Sequence, residues 1–79
     1  MATVRFFAAA AEAAATDGTA LDAATIGDLR ARLVARYGAE FERILNRCSL
    51  LVNGTRATDD AVPLAGSDAV DVLPPFAGG

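Results

Sequence analysis

Between Thr25 and Gly38 the chain has one clear amphipathic helix, and its other apolar runs are short enough to be strands or turns. Ile26, Leu29, Leu33, Val34 and Tyr37 recur at helical spacing on one side, while Arg30, Arg32 and Arg36 lie mostly away from it. Thr25 is placed to cap the free N–H groups at the start, and Asp28, three residues on, is a shorter form of the capping-box acid that also complements the helix dipole. Gly38 supplies the left-handed position at the end. A helix with a single apolar stripe must bury that stripe, and with no second helix of comparable length the partner is one face of a sheet. The expected fold class is therefore two-layer α+β.

The strand signals fit that demand. Residues 2–7 alternate, with Val4 and Phe6 on one face and Arg5 and Phe7 on the other. Residues 8–15, interrupted only by Glu12, have high helix propensity but no large apolar stripe, which predicts a helical turn or short helix and not a packed one. Asp17-Gly18 makes a turn into a short strand at 19–21. Past Gly38, Phe41, Ile44 and Leu45 fall at helical spacing in a short helix over 40–45, expected to cover one edge of the core. A strand at 49–52 leads into Asn53-Gly54, the dipeptide that favours a two-residue hairpin turn, and returns over 55–58. A turn-rich loop over 62–68, anchored by Leu64, precedes the last strand, 69–73, with Val70 and Val72 on one face and Asp71 and Leu73 on the other. For one helix to be flanked by an N-terminal hairpin and a C-terminal strand pair, the first and last strands lie side by side in the centre. This is the β-grasp, or ubiquitin-like, arrangement, a mixed β-sheet packed on one main α-helix. At 79 residues it forms a single domain, 1–79, with a flexible tail at 74–79.

That tail is Pro74-Pro75-Phe76-Ala77-Gly78-Gly79, directly after the last strand. Two prolines stop strand pairing and send the chain out in an extended path. Gly78 and Gly79, lacking Cβ atoms, make an ending slim enough for a narrow channel. From Pro75 onward it can reach roughly 15 Å when extended. A frayed terminus rich in small residues is the other reading. At its base, Phe7 and Leu73 share the outward face beside Phe76, which gives either an apolar contact patch or a Phe7 tucked under the alanine-rich turn.

Charge and inventory exclude most chemistries. Ten acidic residues against seven basic ones give a net charge of −3, which disfavours nucleic acid and membrane surfaces as partners. There is no apolar run long enough to span a bilayer and no signal-peptide pattern, so a cytoplasmic location is expected. The chain has no histidine, no lysine and one cysteine. A Ser-His-Asp triad, a His/Cys zinc site, a Schiff-base lysine and a phosphate-binding P-loop are thus ruled out, and neither a metal site nor autonomous catalysis is expected. Cys48 reads as a small, partly buried hydrophobe, and Asp59-Asp60 as a solvated turn.

Val4-Arg5-Phe6-Phe7-Ala8, Leu51-Val52-Asn53-Gly54, and Leu64-Ala65-Gly66-Ser67-Asp68 leading to Leu73-Pro74-Pro75-Phe76-Ala77-Gly78-Gly79 resemble the MoaD/ThiS sulfur-carrier family, most closely its molybdopterin-synthase small-subunit branch. The resemblance implies that an E1-like (MoeB-like) enzyme uses ATP to adenylate Gly79, with no cofactor bound by the carrier itself. A sulfur donor protein then supplies sulfur to give a covalent C-terminal thiocarboxylate. A MoaE-like large subunit, in a heterotetramer of two small and two large chains, receives the tail and sulfurates cyclic pyranopterin monophosphate. On this view Gly79 is the reacting residue, and Phe7, Leu73, Pro74, Pro75, Phe76, Ala77 and Gly78 contact partners. Activation is needed because an α-carboxyl group with a pKa of about 3.5 is an anion at neutral pH and a poor electrophile. Family members commonly carry an arginine before the glutamate matching Glu12; here that position is Ala11. Thiazole or cysteine synthesis, and conjugation to other proteins as a ubiquitin-like modifier, stand as alternatives.

Overall fold

Thr25 is extended (φ −143°, ψ 169°) and its hydroxyl accepts a hydrogen bond from the Asp28 N–H at 3.1 Å, which starts helix α2, Ile26–Tyr37. The Asp28 carboxylate reaches back to the Ala24 N–H at 3.1 Å, one residue beyond the usual capping-box partner, and also accepts from the Arg32 Nε at 3.1 Å. These two contacts, the backbone bond first, hold the Asp28 carboxyl below the usual range. A computed structural model describes residues 1–75. In chain order the remaining elements are β1 (Ala2–Phe6), α1 (Ala9–Ala14), β2 (Gly18–Leu21), α3 (Ala39–Leu45, directly after α2), β3 (Ser49–Val52), β4 (Thr55–Ala57) and β5 (Ala69–Leu73).

The five strands lie in the order β2-β1-β5-β3-β4. β1 and β5 are parallel in the centre, with Val4 opposite Val70 and Phe6 opposite Val72; the other pairings are antiparallel. Because side chains alternate along a strand, this register puts Val4, Phe6, Val70, Val72 and Leu50 on one inner face, all buried, against Ile26, Leu29 and Leu33 of α2. The fold is the expected β-grasp, with its first and last strands adjacent at the centre.

The Asn53-Gly54 turn has φ of +50° and +87°, the type I′ signature. Asn53 also ties it to the start of β5: its Nδ2 donates to Asp68 at 2.8 Å and its Oδ1 accepts from the Ala69 N–H at 2.9 Å. Leu64 is half-buried against the core, as expected of a loop anchor. Asp59 caps its own turn through the Ala61 N–H at 2.8 Å and Asp60 pairs with Arg30 at 3.3 Å, so both acids serve the turn.

Four expectations need correction. α1 is a packed helix: Ala10 and Ala14 are buried, and it lies against α3. Methyl groups suffice because the two short helices approach closely, so the absence of large apolar residues does not signal exposure. α3 is not an edge cover. Phe41 is fully buried at its centre, its ring 5.5 Å from Phe6 and 5.2 Å from Tyr37. Gly38 has φ 94° and ψ −173°, outside the left-handed helical region, because the chain leaves α2 straight into α3: the Gly38 N–H donates to Val34 and its carbonyl accepts from Glu42. Finally, β1 ends at Phe6, β4 ends at Ala57, and β2 begins at Gly18, where a Cβ would stand 2.7 Å from the Val4 carbonyl oxygen.

Candidate functional site

β5 is the middle strand, so the chain that follows it leaves from the centre of the sheet. Leu73 is paired with Ser49 of β3, and the β1–β5 register, which matches Phe6 with Val72, brings Phe7 level with Leu73. Leu73 and Pro74 are half-buried and Pro75 is exposed. Phe76, Ala77, Gly78 and Gly79 lie outside the described residues.

Phe7 is 38% exposed and, with Met1, is one of two exposed large hydrophobic residues among those described. It borders a shallow groove of about 360 Å³ lined by Arg5, Phe6, Phe7, Ala8, Ala11 and Asp17. The ring is therefore beside the alanine-rich turn and not covered by it. Ala11 is half-buried in the groove wall.

Arg5 organises this corner. Its Nε and a terminal nitrogen donate to the two Asp71 carboxylate oxygens at 2.6 and 2.9 Å, across the register pair that joins β1 to β5. The same guanidinium lies 5.8 Å from the Phe7 ring centroid, within cation–π range. Hydrogen bonding to Asp71, and then its charge, raises the Arg5 pKa further, so the group stays charged. Sequence reasoning put Arg5 and Asp71 on outward faces but did not pair them. The signal was present in their opposite charge and matching phase, yet it is readable only once the β1–β5 register is known.

The helix-free face continues this row. Asp71 is opposite Leu51, and Leu51 is opposite Arg56 on β4, giving Arg5–Asp71–Leu51–Arg56 across four strands. Cys48, next to the tail root in sequence register, points to the helix side; its thiol donates to the Ile44 carbonyl at 3.1 Å. Burial pushes the Cys48 thiol up, only partly offset by Arg30, which makes it a poor nucleophile. No group of three potential metal ligands occurs among the described residues. The root of the tail thus offers apolar surface, a fixed cation and two acids, Asp17 in the groove wall and Asp71 taken up by Arg5, and Cys48 is not an activated nucleophile.

The chain is similar to several proteins of known structure. Small archaeal modifier protein 1 from Haloferax volcanii is 26% identical, with 95% of this chain and 97% of that chain covered at a TM-score of 0.81. A chain from the complex of subunits 1 and 2 of the molybdopterin-converting factor of Helicobacter pylori is 26% identical, with coverage of 99% and 97% and a TM-score of 0.77. CysO, an antigen of Mycobacterium tuberculosis, is 19% identical and shares the fold, with coverage of 96% and 100% and a TM-score of 0.81. No curated protein sequence matches the chain. No helix among the described residues is long and apolar enough to cross a membrane. The model of the ThiS family matches residues 4–79, nearly the whole length, and the chain belongs to that family.

Proposed function

We propose that this protein is a sulfur carrier whose Gly79 carboxylate is adenylated, converted to a thiocarboxylate and used inside a molybdopterin synthase. The observation that carries the reading is the exit of Pro74-Pro75 from the central strand β5, with Leu73 and the exposed Phe7 flanking that exit. A carboxylate oxygen of Gly79 attacks the α-phosphorus of ATP held by an E1-like partner, and pyrophosphate leaves. The outer sulfur of a donor-protein persulfide then attacks the acyl carbon and displaces AMP, and a second thiol cleaves the resulting acyl disulfide, taking up the donor's sulfur as a disulfide and leaving the thiocarboxylate on Gly79. A large synthase subunit takes the tail and passes the sulfur to cyclic pyranopterin monophosphate. The carrier contributes position, not catalysis, consistent with a chain that has no histidine or lysine. Phe7, Leu73, Pro74 and Pro75 form the docking root, and Phe76, Ala77 and Gly78 enter the partner.

The family membership and the likeness to a molybdopterin-converting factor complex support this reading. The likeness to a small archaeal modifier protein favours a second one, conjugation of Gly79 to amines on other proteins. Intact-mass measurement separates them. Incubation with the E1-like enzyme, ATP and a sulfur donor is expected to add the mass difference between sulfur and oxygen to the free chain. Conjugates joined through Gly79, with no such addition, would favour the modifier reading; neither product would defeat both. Within the carrier reading, Phe7→Ala is expected to weaken binding to the activating enzyme and to the large subunit about tenfold or more, and unchanged binding would remove Phe7 from the docking root.

A further inference from the structure

Phe7 lies one residue beyond β1, and its ring joins none of the aromatic pairs among the described residues, which link Phe6, Tyr37 and Phe41. Its groove neighbours Ala8 and Ala11 offer only methyl groups, and Phe6 is buried in the core. The long side chain that meets the ring is Arg5, 5.8 Å from its centroid. Arg5 and Phe7 share one outward face by strand alternation, so this contact forms when the guanidinium is held on that side.

Asp71 is what holds it. The β1–β5 register sets the two residues opposite each other, and the carboxylate accepts from the Arg5 Nε at 2.6 Å and a terminal nitrogen at 2.9 Å. A fork of this kind fixes the orientation of a guanidinium as well as its place. The Asp71 side chain is 16% exposed against 58% for Arg5, so the anchor sits in the sheet and the held group at the surface. An ion pair with one partner so exposed gives a fold little stability, and aspartate is a poor strand residue. Stability alone therefore does not explain a carboxylate in the middle of the central strand; the placing of Arg5 beside Phe7 does.

We infer that Asp71 is a positioning residue: acting through Arg5, it holds the Phe7 ring in one orientation before a partner protein arrives. This rests on the reading that Phe7 belongs to the docking root, and it adds the residues that set the ring. Fixing a side chain in advance removes part of the entropy cost of ordering it on binding. The effect passes through the ring, so neither Arg5 nor Asp71 has to touch the partner.

The test is a double-mutant cycle on the affinity of the full chain for the E1-like enzyme of the same organism. The Phe7 χ1 distribution of the free chain is read alongside it, from three-bond N–Cγ and C′–Cγ couplings. Asp71→Asn keeps the shape and drops the charge; Arg5→Gln removes the cation. Each is expected to weaken binding about two- to fivefold, the worth of one exposed cation–π contact, and to average the Phe7 couplings over several rotamers where the parent shows one. The two losses should not add, and both should vanish in a Phe7→Ala background. Circular dichroism checks that each variant is folded. A loss that persists without the Phe7 ring overturns the inference, because the pair would then act on the partner directly or on the fold. Unchanged affinity or unchanged couplings in either variant overturn it too. If the parent still gains sulfur in the mass assay, only this inference fails; a parent that neither binds nor gains sulfur defeats the carrier reading as well.

Discussion

Replacing Phe41 by alanine tests whether α3 is part of the core or a cover for its edge. The ring is fully buried, and it meets the Phe6 ring at a 73° angle and 5.5 Å and the Tyr37 ring at 5.2 Å. Removing it forfeits about 2–3 kcal/mol of transfer free energy. The cavity left behind and the lost ring contacts bring the total to about 3–5 kcal/mol. A chain of 79 residues has a stability of roughly 4–12 kcal/mol, so this one change removes a large part of it. Phe41→Leu, which refills most of the space but loses both ring pairs, should cost about 1–2 kcal/mol. Urea unfolding followed by far-ultraviolet circular dichroism reads both, with the slope unchanged and the midpoint lowered. A cost below about 1 kcal/mol for Phe41→Ala would refute the buried placement and restore α3 to the edge.

Ala8 has φ 50° and ψ −126° and sits in a turn closed by the Ala10 N–H on the Phe7 carbonyl at 3.1 Å, a type II′ position made for glycine; Ala8→Gly should raise stability by about 0.5–1 kcal/mol in the same urea assay. Gly18→Ala drives a Cβ to 2.7 Å from the Val4 carbonyl and should lower the thermal midpoint by several degrees, with β2 separating from β1 as shown by amide exchange. The Asp28 and Asp68 carboxyls are both held low, Asp68 by the Ala65 N–H and then Asn53. Their contribution is complete above the ordinary carboxylate pKa of about 3.9 and is lost as pH falls through their lower folded values. Asn replacements at both sites should therefore flatten the acid limb of the stability–pH curve relative to the parent; an unchanged limb would contradict the assignment. Cys48, its thiol pushed up by burial, should react with iodoacetamide at pH 8 more slowly than free cysteine and reach the free rate in urea.

What was legible in the residues was what local chemistry fixes. Thr25 and Asp28 mark the start of α2, Asn53-Gly54 marks the type I′ turn, and the alternation of Val4, Phe6, Val70 and Val72 supplies two inner faces that a one-helix fold brings together. Depth was not legible. Ala10 and Ala14 are buried because a neighbouring helix comes close, and nothing in an alanine run reports that distance. Phe41 and its neighbours signal an apolar stripe but not whether it meets the rim or the middle of the core. The Arg5–Asp71 pair joins residues 66 positions apart, through a parallel register that only the assembled sheet sets. For the candidate site, Leu73, Pro74 and Pro75 stand where the alternation put them, at the end of the central strand. Phe7 is exposed beside the alanine-rich turn and not tucked under it, a choice its alternation alone left open.

The central claim is that the α-carboxylate of Gly79 is the reacting group, aimed from β5 by Pro74-Pro75. Its most direct test is to add a single alanine after Gly79 and compare the extended and parent chains by intact mass after incubation with the E1-like enzyme, ATP and a sulfur donor. The account predicts that the parent gains the sulfur-for-oxygen mass difference while the extended chain, with the same circular dichroism spectrum and urea midpoint, gains nothing. Equal sulfur loading of the extended chain would contradict it.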